Sequence, residues 1–393
     1  MTEPENMCWA SALSERIEPK DAIAEVSATV REQLGGAPDL ALYFVSDHFG
    51  GAYASIPEWI ERQLSPGVAV GCSASGVIGR GQEVEQREAI SVVAARLPNV
   101  HVSPFHCELP PDEPGVWKSM VGPVAGESPS FLLLCDPFSL DTEKMLRSLD
   151  SAYPGSPKVG GMLSGTQAPG DGAIFYDTHV LREGMVGVAL SGQIEMHTLV
   201  AQGCRPVGEP MIITHCSDSV IYELNVGKPM EALQKLFDKV APRDQELLRH
   251  SLFLGIEMND GKSRYDQGDF LIRDVAGIDP NSGAMAVHGQ CRDYQVVQFH
   301  LRDALTSTQD LDRRLGGLKR TGGLDAEGAL FFSCMGRGEG LYGVANHDSD
   351  LFCRHMGAVP MGGFFGNGEI GPVGGHTFLH GYTSSLALFA TPR

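Results

Sequence analysis

Apolar positions along this chain fall into strand-length runs separated by amphipathic stretches. Ile23, Val26, Val30 and Leu34 recur at helical spacing in Pro19–Gly35, which predicts a helix stopped by Gly35-Gly36. Asp39–Asp47 follows as a continuous apolar run. A strand apolar on both faces belongs inside a sheet covered by helices. A helix is predicted over Ile56–Leu64, then a short strand, Val68–Val70, that runs into the glycine loop Gly71-Cys72-Ser73-Ala74-Ser75-Gly76.

The same order then recurs. Ser130–Asp136 reads as a strand and Thr142–Ala152 as a helix, before Val159-Gly160-Gly161-Met162-Leu163-Ser164-Gly165. Asp47 to Gly71 and Asp136 to Gly160 are equally spaced, and a looser third copy runs from Ala329–Cys334 to Gly362-Gly363. Further strands are predicted at Ala89–Ala94, Met185–Leu190, Ile194–Val200 and Ser384–Phe389, and Leu97–Ser128, rich in proline and acid, as an extended surface connection. The expected fold is α/β: a two-half protein of internally repeated strand–helix–glycine-loop units, with mixed sheets covered by helices. A boundary near Arg205–Pro210 gives an N-terminal helical segment (1–38), a domain with two of the repeats (39–205) and a second domain (206–393). In the last, Ile212–Thr214, Val220–Leu224, Ser251–Met258, Asp269–Asp274 and Tyr294–Leu301 read as strands, Met230–Val240 and Leu305–Leu315 as helices.

Composition narrows the function. With 30 basic and 49 acidic residues the net charge is −19 and no dense basic patch stands out, which argues against nucleic acid and anionic membrane as partners. The N-terminus carries no secretory pattern and no apolar run reaches membrane-spanning length, so a cytoplasmic location is expected. Nine cysteines without a C-x-x-C pair fit reduced, buried thiols.

Candidate chemistry concentrates at the glycine-rich turns. Around Ser73, Gly71 is present but Ser75 occupies the second glycine position of a nucleophile elbow, so a tight packed turn is expected there. Cys72 and Cys334 each end a strand where backbone N–H groups could hold a thiolate. His376 and His380 stand four apart among glycines with no third ligand, so no metal site is assigned. Arg273-Asp274 and Arg302-Asp303 each place an ion pair at a strand end. Arg337 stands among glycines beyond an apolar strand, where α/β sheets bind ligands. With Glu369 it would clamp a zwitterion, or the two would simply pair with each other.

Gly71-Cys72-Ser73-Ala74-Ser75-Gly76-Val77-Ile78 with Glu83 resembles the N-terminal half of the FIST sensory domain. Gly227-Lys228-Pro229, Phe270–Arg273, Phe299–Asp303, Phe332–Gly338, Gly363–Pro372 and His380–Thr383 are similar to its C-terminal half. The resemblance implies an intracellular signal-transduction module for small ligands, amino acids among the candidates. Relatives of this kind stand beside histidine kinases and chemotaxis receptors, or behind an F-box, and some are haem-containing nitric-oxide sensors acting on a kinase. The resulting expectation is a non-enzymatic sensor without an output domain of its own, signalling through a separate protein, with a homo-oligomer open. Its ligand contacts would be Arg337, Glu369, Gly368, Cys334, Gly363 and Arg302, with Ser73 and Ser164 in the related loops. A haem-based gas sensor, for which no axial histidine maps, and a cysteine-dependent enzyme are the alternatives.

Overall fold

The computed structural model describes residues 6–124, 128–259, 261–262, 264–320 and 324–392. The outermost residues of the segment 1–38 and residues 125–127 of the connection Leu97–Ser128 thus lie outside the described residues. The fold is mixed α/β and divides into two compact units. The first comprises Met1–Val200, Asp312–Leu379 and Thr383–Arg393, the second Ala201–Leu311 and His380–Tyr382. The boundary expected near Arg205–Pro210 falls instead inside a 14-residue strand, Cys204–Ser217, in which Pro206 pairs regularly with His300 and Pro210 sits at a register shift between Val207 and Met211.

The first unit builds one six-stranded sheet three times. Each has a lead strand: Leu40–Ser46, Ser130–Cys135 and Gly328–Cys334. Parallel to it lies a glycine-bearing strand: Val68–Ala74, Lys158–Met162 and Met361–Gly366. On its other side an antiparallel return strand follows: Ile90–Arg96, Met185–Gly192 and Thr383–Ala390. The expected glycine loops are therefore strands. Gly71, Gly160 and Gly363 stand opposite Tyr43, Leu133 and Phe331, and a Cβ at any of the three would land on that partner's carbonyl oxygen. These glycines serve close approach of two backbones rather than a turn. The register also shows that Asp136 corresponds to Ser46, not to Asp47, so the equal spacing in the sequence joined residues that are not equivalent.

Each glycine strand continues into a hairpin that completes a different sheet. Gly76–Gly79 with Gln82–Glu85 joins the third sheet, Ile174–Tyr176 with His179–Leu181 the first, and Glu369–Val373 with His376–His380 the second. The inner faces share one apolar core, including Leu42, Phe44, Val70, Leu132, Leu134, Val159, Phe332 and Phe364. Outside, Pro19–Leu34 and Ile56–Leu64 cover the first sheet through Ile23, Val26, Val30, Ile56 and Ile60. Gly35 caps the first of these helices at φ 68°.

Two expectations change here. The segment 1–38 contains a strand, Cys8–Ser14, paired along its length with Ile90–Arg96. Leu97–Ser128 is not a surface connection throughout, because Val100–Cys107 pairs with Met185–Gly192 and the helix Pro114–Val121 buries Trp117 completely.

In the second unit six strands close into a barrel in the order Cys204–Ser217, Val220–Leu224, Met285–Val287, Phe270–Ile278, Leu252–Glu257 and Val296–Arg302. Closure leaves no unpaired edge. Ile213, Ile221, Leu254, Ile256, Val297 and Phe299 fill its core, joined by Leu236 and Leu248 from the helices Pro229–Phe237 and Pro242–His250. No helix among the described residues is long and apolar enough to cross a membrane.

Candidate functional site

Charged side chains are buried together on the outer face of the third sheet. Beyond the lead strand, Arg337 Nε donates to Asp348 Oδ2 at 2.7 Å and Nη2 to Oδ1 at 3.2 Å, a bidentate pair. Asp348 stands in the first turn of the helix His347–Met356, which Asn346 opens in a left-handed conformation. His347 Nδ1 lies 2.9 Å from Asp348 Oδ1, and its ring stacks on Tyr342 at 3.5 Å. The Tyr342 ring in turn lies 5.7 Å from the Arg337 guanidinium carbon. From the return strand, Ser384 Oγ donates to Asp348 Oδ2 at 3.2 Å and lies 3.3 Å from Ser333 Oγ.

The hairpin supplies the opposite wall. Glu83 N–H donates to Asn346 Oδ1 and Glu83 Oε1 accepts from the Ser349 N–H, each at 2.7 Å, so the helix start is held from both sides. Glu85 Oε1 accepts from the Glu339 N–H at 2.9 Å. Arg337 and Asp348 are each 1% exposed and Glu83 is 6% exposed. Among the described residues, three polar atoms here make no hydrogen bond of good geometry: Arg337 Nη1, Glu83 Oε2 and Ser349 Oγ, the Ser349 side chain lying near the Glu83 carboxylate. Buried polar atoms are seldom left so, because each forfeits its hydration without a replacement bond.

The electrostatics follow from this packing. Burial alone would lift the Asp348 carboxyl, but Arg337 and His347 outweigh it and hold the group well below the usual carboxylate range. Burial would likewise weaken the Arg337 cation, and Asp348 more than restores it. Among the described residues no cation pairs with Glu83. Burial first, then the Asp348 charge, push it up to about 7.

The sequence-predicted residues divide among several places. Cys334 ends the third lead strand three residues before Arg337, and Gly336 N–H donates to its sulfur at 3.5 Å. Glu369 does not pair with Arg337. Its Oε2 accepts from Thr383 N–H and Oγ1 at 3.1 and 2.8 Å, whereas the neighbouring Ser384 reaches Asp348. Successive residues of a strand point to opposite faces. Arg337 and Glu369 therefore lie on opposite sides of the third sheet, and neither the zwitterion clamp nor the mutual salt bridge is formed.

Glu369 has company at the inner junction. It pairs with Gly161, Gly368 O accepts from Met162 N–H at 2.8 Å, and Ser164 Oγ accepts from Ser75 N–H at 2.8 Å and donates to Phe365 O. Ser164, Gly368 and Glu369 thus cluster there without Arg337, whereas Gly363 lies further along the adjoining strand, opposite Phe331. Ser73 faces the other way on the first sheet, where its Oγ accepts from Ala173 N–H at 2.9 Å. Burial pushes the Cys72 thiol well above its usual range, against a nucleophilic role at neutral pH. Arg302 belongs to the barrel unit, its guanidinium 4.9 Å from the Tyr382 ring. Asp303 pairs with Arg205 at 3.1 Å rather than forming the expected Arg302-Asp303 bridge.

Sequence reasoning did not assign Asp348, Ser349, Ser384 or Glu83 to a site. A signal existed once the three sheets are laid in register. The last rung between lead and return strand is Val45–Ile90 in the first sheet, Cys135–Met185 in the second and Ser333–Ser384 in the third. Glu83, opposite Ile78, likewise occupies the place that Val180, opposite Phe175, holds on the first sheet.

Residues 39–226 match the FIST N domain and residues 229–372 the FIST C domain. An uncharacterized protein of Mycobacterium tuberculosis (strain CDC 1551 / Oshkosh) is 36% identical over 371 residues, 94% of this chain and 96% of its own. One from Mycobacterium bovis (strain ATCC BAA-935 / AF2122/97) is 32% identical over 373 residues, 94% and 95% of the two chains. Among solved structures, a cyanuric acid hydrolase from A. caulinodans is similar at a TM-score of 0.38 and 9% identity, over 98% of this chain and 99% of that one. A likeness that weak carries no argument about chemistry.

Proposed function

Because this chain belongs to the FIST family, whose domains are generally sensory signal-transduction domains, we propose that it is a cytoplasmic, non-enzymatic sensor. Its ligand is a small polar molecule bearing both a carboxylate and an ammonium group, such as an amino acid, taken up beside Arg337. The ligand carboxylate accepts from Arg337 Nη1, the ammonium donates to Glu83 Oε2, and the Ser349 hydroxyl completes the set. Glu83 thus takes the place expected of Glu369. The signal passes to a separate protein when binding shifts the balance between conformations.

One observation carries this reading: three positions filled by Val45, Ile90 and Val180 on the first sheet are Ser333, Ser384 and Glu83 on the third. The architecture is stable with aliphatic residues there, so three polar ones, with Glu83 Oε2 left without a hydrogen bond, suit a ligand better than they suit the fold. Calorimetric titration of the full chain with a panel of amino acids and small metabolites tests it. Binding should occur for at least one compound and weaken about tenfold or more in Glu83→Gln and in Ser349→Ala, as loss of one buried hydrogen bond requires. Silence across the panel from folded protein, or equal binding by both variants, overturns it.

A further inference from the structure

The Arg337 cluster is enclosed: Arg337, Asp348, Glu83 and Ser349 are all buried. If this is a ligand site, as proposed above, something over it must move. The walls formed by the third sheet and the helix His347–Met356 are tied into the core through Phe331, Phe352 and Leu351. The remaining cover is the stretch between Arg337 and that helix. It contains the one-turn helix Glu339–Tyr342, exposed Val344 at 54%, and left-handed residues at Gly338 (φ 73°), Gly343 (φ 70°) and Asn346 (φ 60°). Arg337 is anchored independently of this stretch, by Asp348 and by its own N–H on Cys334 O at 2.8 Å. Tyr342 is the part that lies across the guanidinium.

We propose that Gly338–Asn346 is a lid over the Arg337 site, swinging about Gly338 at one end and Gly343–Asn346 at the other. Opening carries Tyr342 off both Arg337 and the His347 ring while Arg337 stays on Asp348. Glu85 is the latch: its Oε1 holds the Glu339 N–H across from the hairpin. Gly338 is required beside that latch, because a Cβ there would stand on the Glu85 carboxylate as well as at an unfavourable φ. Unlatching therefore follows from a change at either residue. No residue of Glu339–Tyr342 is buried, which places this one-turn helix at the low-stability end of the unit.

Amide hydrogen exchange of the full chain, read by mass spectrometry without any ligand, tests the lid. Amides of Glu339–Tyr342 should exchange faster than those of His347–Met356 in the parent chain. They should speed up about tenfold further in Glu85→Ala and in Gly338→Ala, while Gly328–Cys334 and Met361–Gly366 stay protected. Glu85→Gln, which keeps an acceptor oxygen, should behave like the parent. Protection equal to that of His347–Met356, or no response to the two variants, overturns the lid. So does faster exchange through the whole third sheet, which would make the stretch part of the core. Since no ligand enters this measurement, a rigid lid and a silent calorimeter are separate failures.

Discussion

On the first sheet, Val45 faces Ile90 at the last rung and Val180 completes the outer surface, which packs under the helices Pro19–Leu34 and Ile56–Leu64. On the third sheet the same three places hold Ser333, Ser384 and Glu83, and the cover is the helix His347–Met356 with Asp348 turned inward to Arg337. Each aliphatic side chain given up forgoes about 1.5–3 kcal/mol of burial. The third sheet forgoes that at the Ser333–Ser384 rung, and in smaller part at Glu83 beyond two intervening strands, whose Oε2 is left without a hydrogen bond. The contrast separates what the architecture demands, met by all three sheets, from what only the third sheet does.

The shared plan is tested by the largest effects. Gly71→Ala, Gly160→Ala and Gly363→Ala each set a methyl on a partner carbonyl, so each should cost about 4 kcal/mol or more in urea denaturation, or prevent folding. One tolerated alanine among the three would mean the sheets are not built alike. Next comes the charge pair peculiar to the third sheet. Asp348→Ala strands the Arg337 cation in the interior and should cost about 3–5 kcal/mol, whereas Arg337→Met with Asp348→Leu should be neutral or stabilising. A double variant as unstable as the single one would show that the fold itself needs the pair.

A third effect depends on pH. Glu83 has its folded pKa raised, from 4.5 to about 7, so the folded state holds the proton more tightly than the unfolded chain. Its contribution is then fully present below about pH 4.5 and is lost as pH rises through about 7. The loss amounts to about 3 kcal/mol at most. In Glu83→Gln that part of the slope should vanish from stability measured across pH 4 to 8. Val180→Ala on the first sheet, with nothing to titrate, should shift stability by the same amount at every pH. A parent and Glu83→Gln with parallel pH profiles would mean that Glu83 is better solvated than its burial implies.

Much of the architecture was legible in the sequence because it is written in local periodicity. Ile56–Leu64 and Thr142–Ala152 carry their apolar stripes in consecutive turns, and Leu40–Ser46 is apolar at almost every position. Cys8–Ser14 escaped because alanine and serine dominate it, and it becomes a strand only by pairing with Ile90–Arg96. The glycines were located correctly and given the wrong reason. What demands them is a carbonyl on the neighbouring strand, which local sequence does not show. The site failed similarly. Arg337 was found, but its partner Asp348 is set by how a later helix docks, and Glu83 arrives on a hairpin that leaves its own sheet for the third. Glu369 was excluded from that cluster only by the alternation of Thr383 and Ser384 across the return strand.

The smallest effect cuts closest to the comparison. Ser333→Val makes the third sheet copy the first at one place. The Ser333 hydroxyl lies 3.3 Å from Ser384 Oγ, a long contact, and Ser384 keeps its bond to Asp348 without it. Little hydrogen bonding is lost, while two methyl groups enter a fully buried position already shaped for a side chain of that size on the first sheet. The change should fall within about 1 kcal/mol of neutral and tend toward stabilisation, since burying extra apolar surface offsets one weak bond. The mirror change, Val45→Ser, should cost about 2–3 kcal/mol, because it removes methyls and buries a hydroxyl opposite Ile90 with no partner. That asymmetry is what a functional origin of the polarity requires. If Ser333→Val instead destabilises as much as Val45→Ser does, the serines are structural, and the third sheet is polar because its own packing needs it to be.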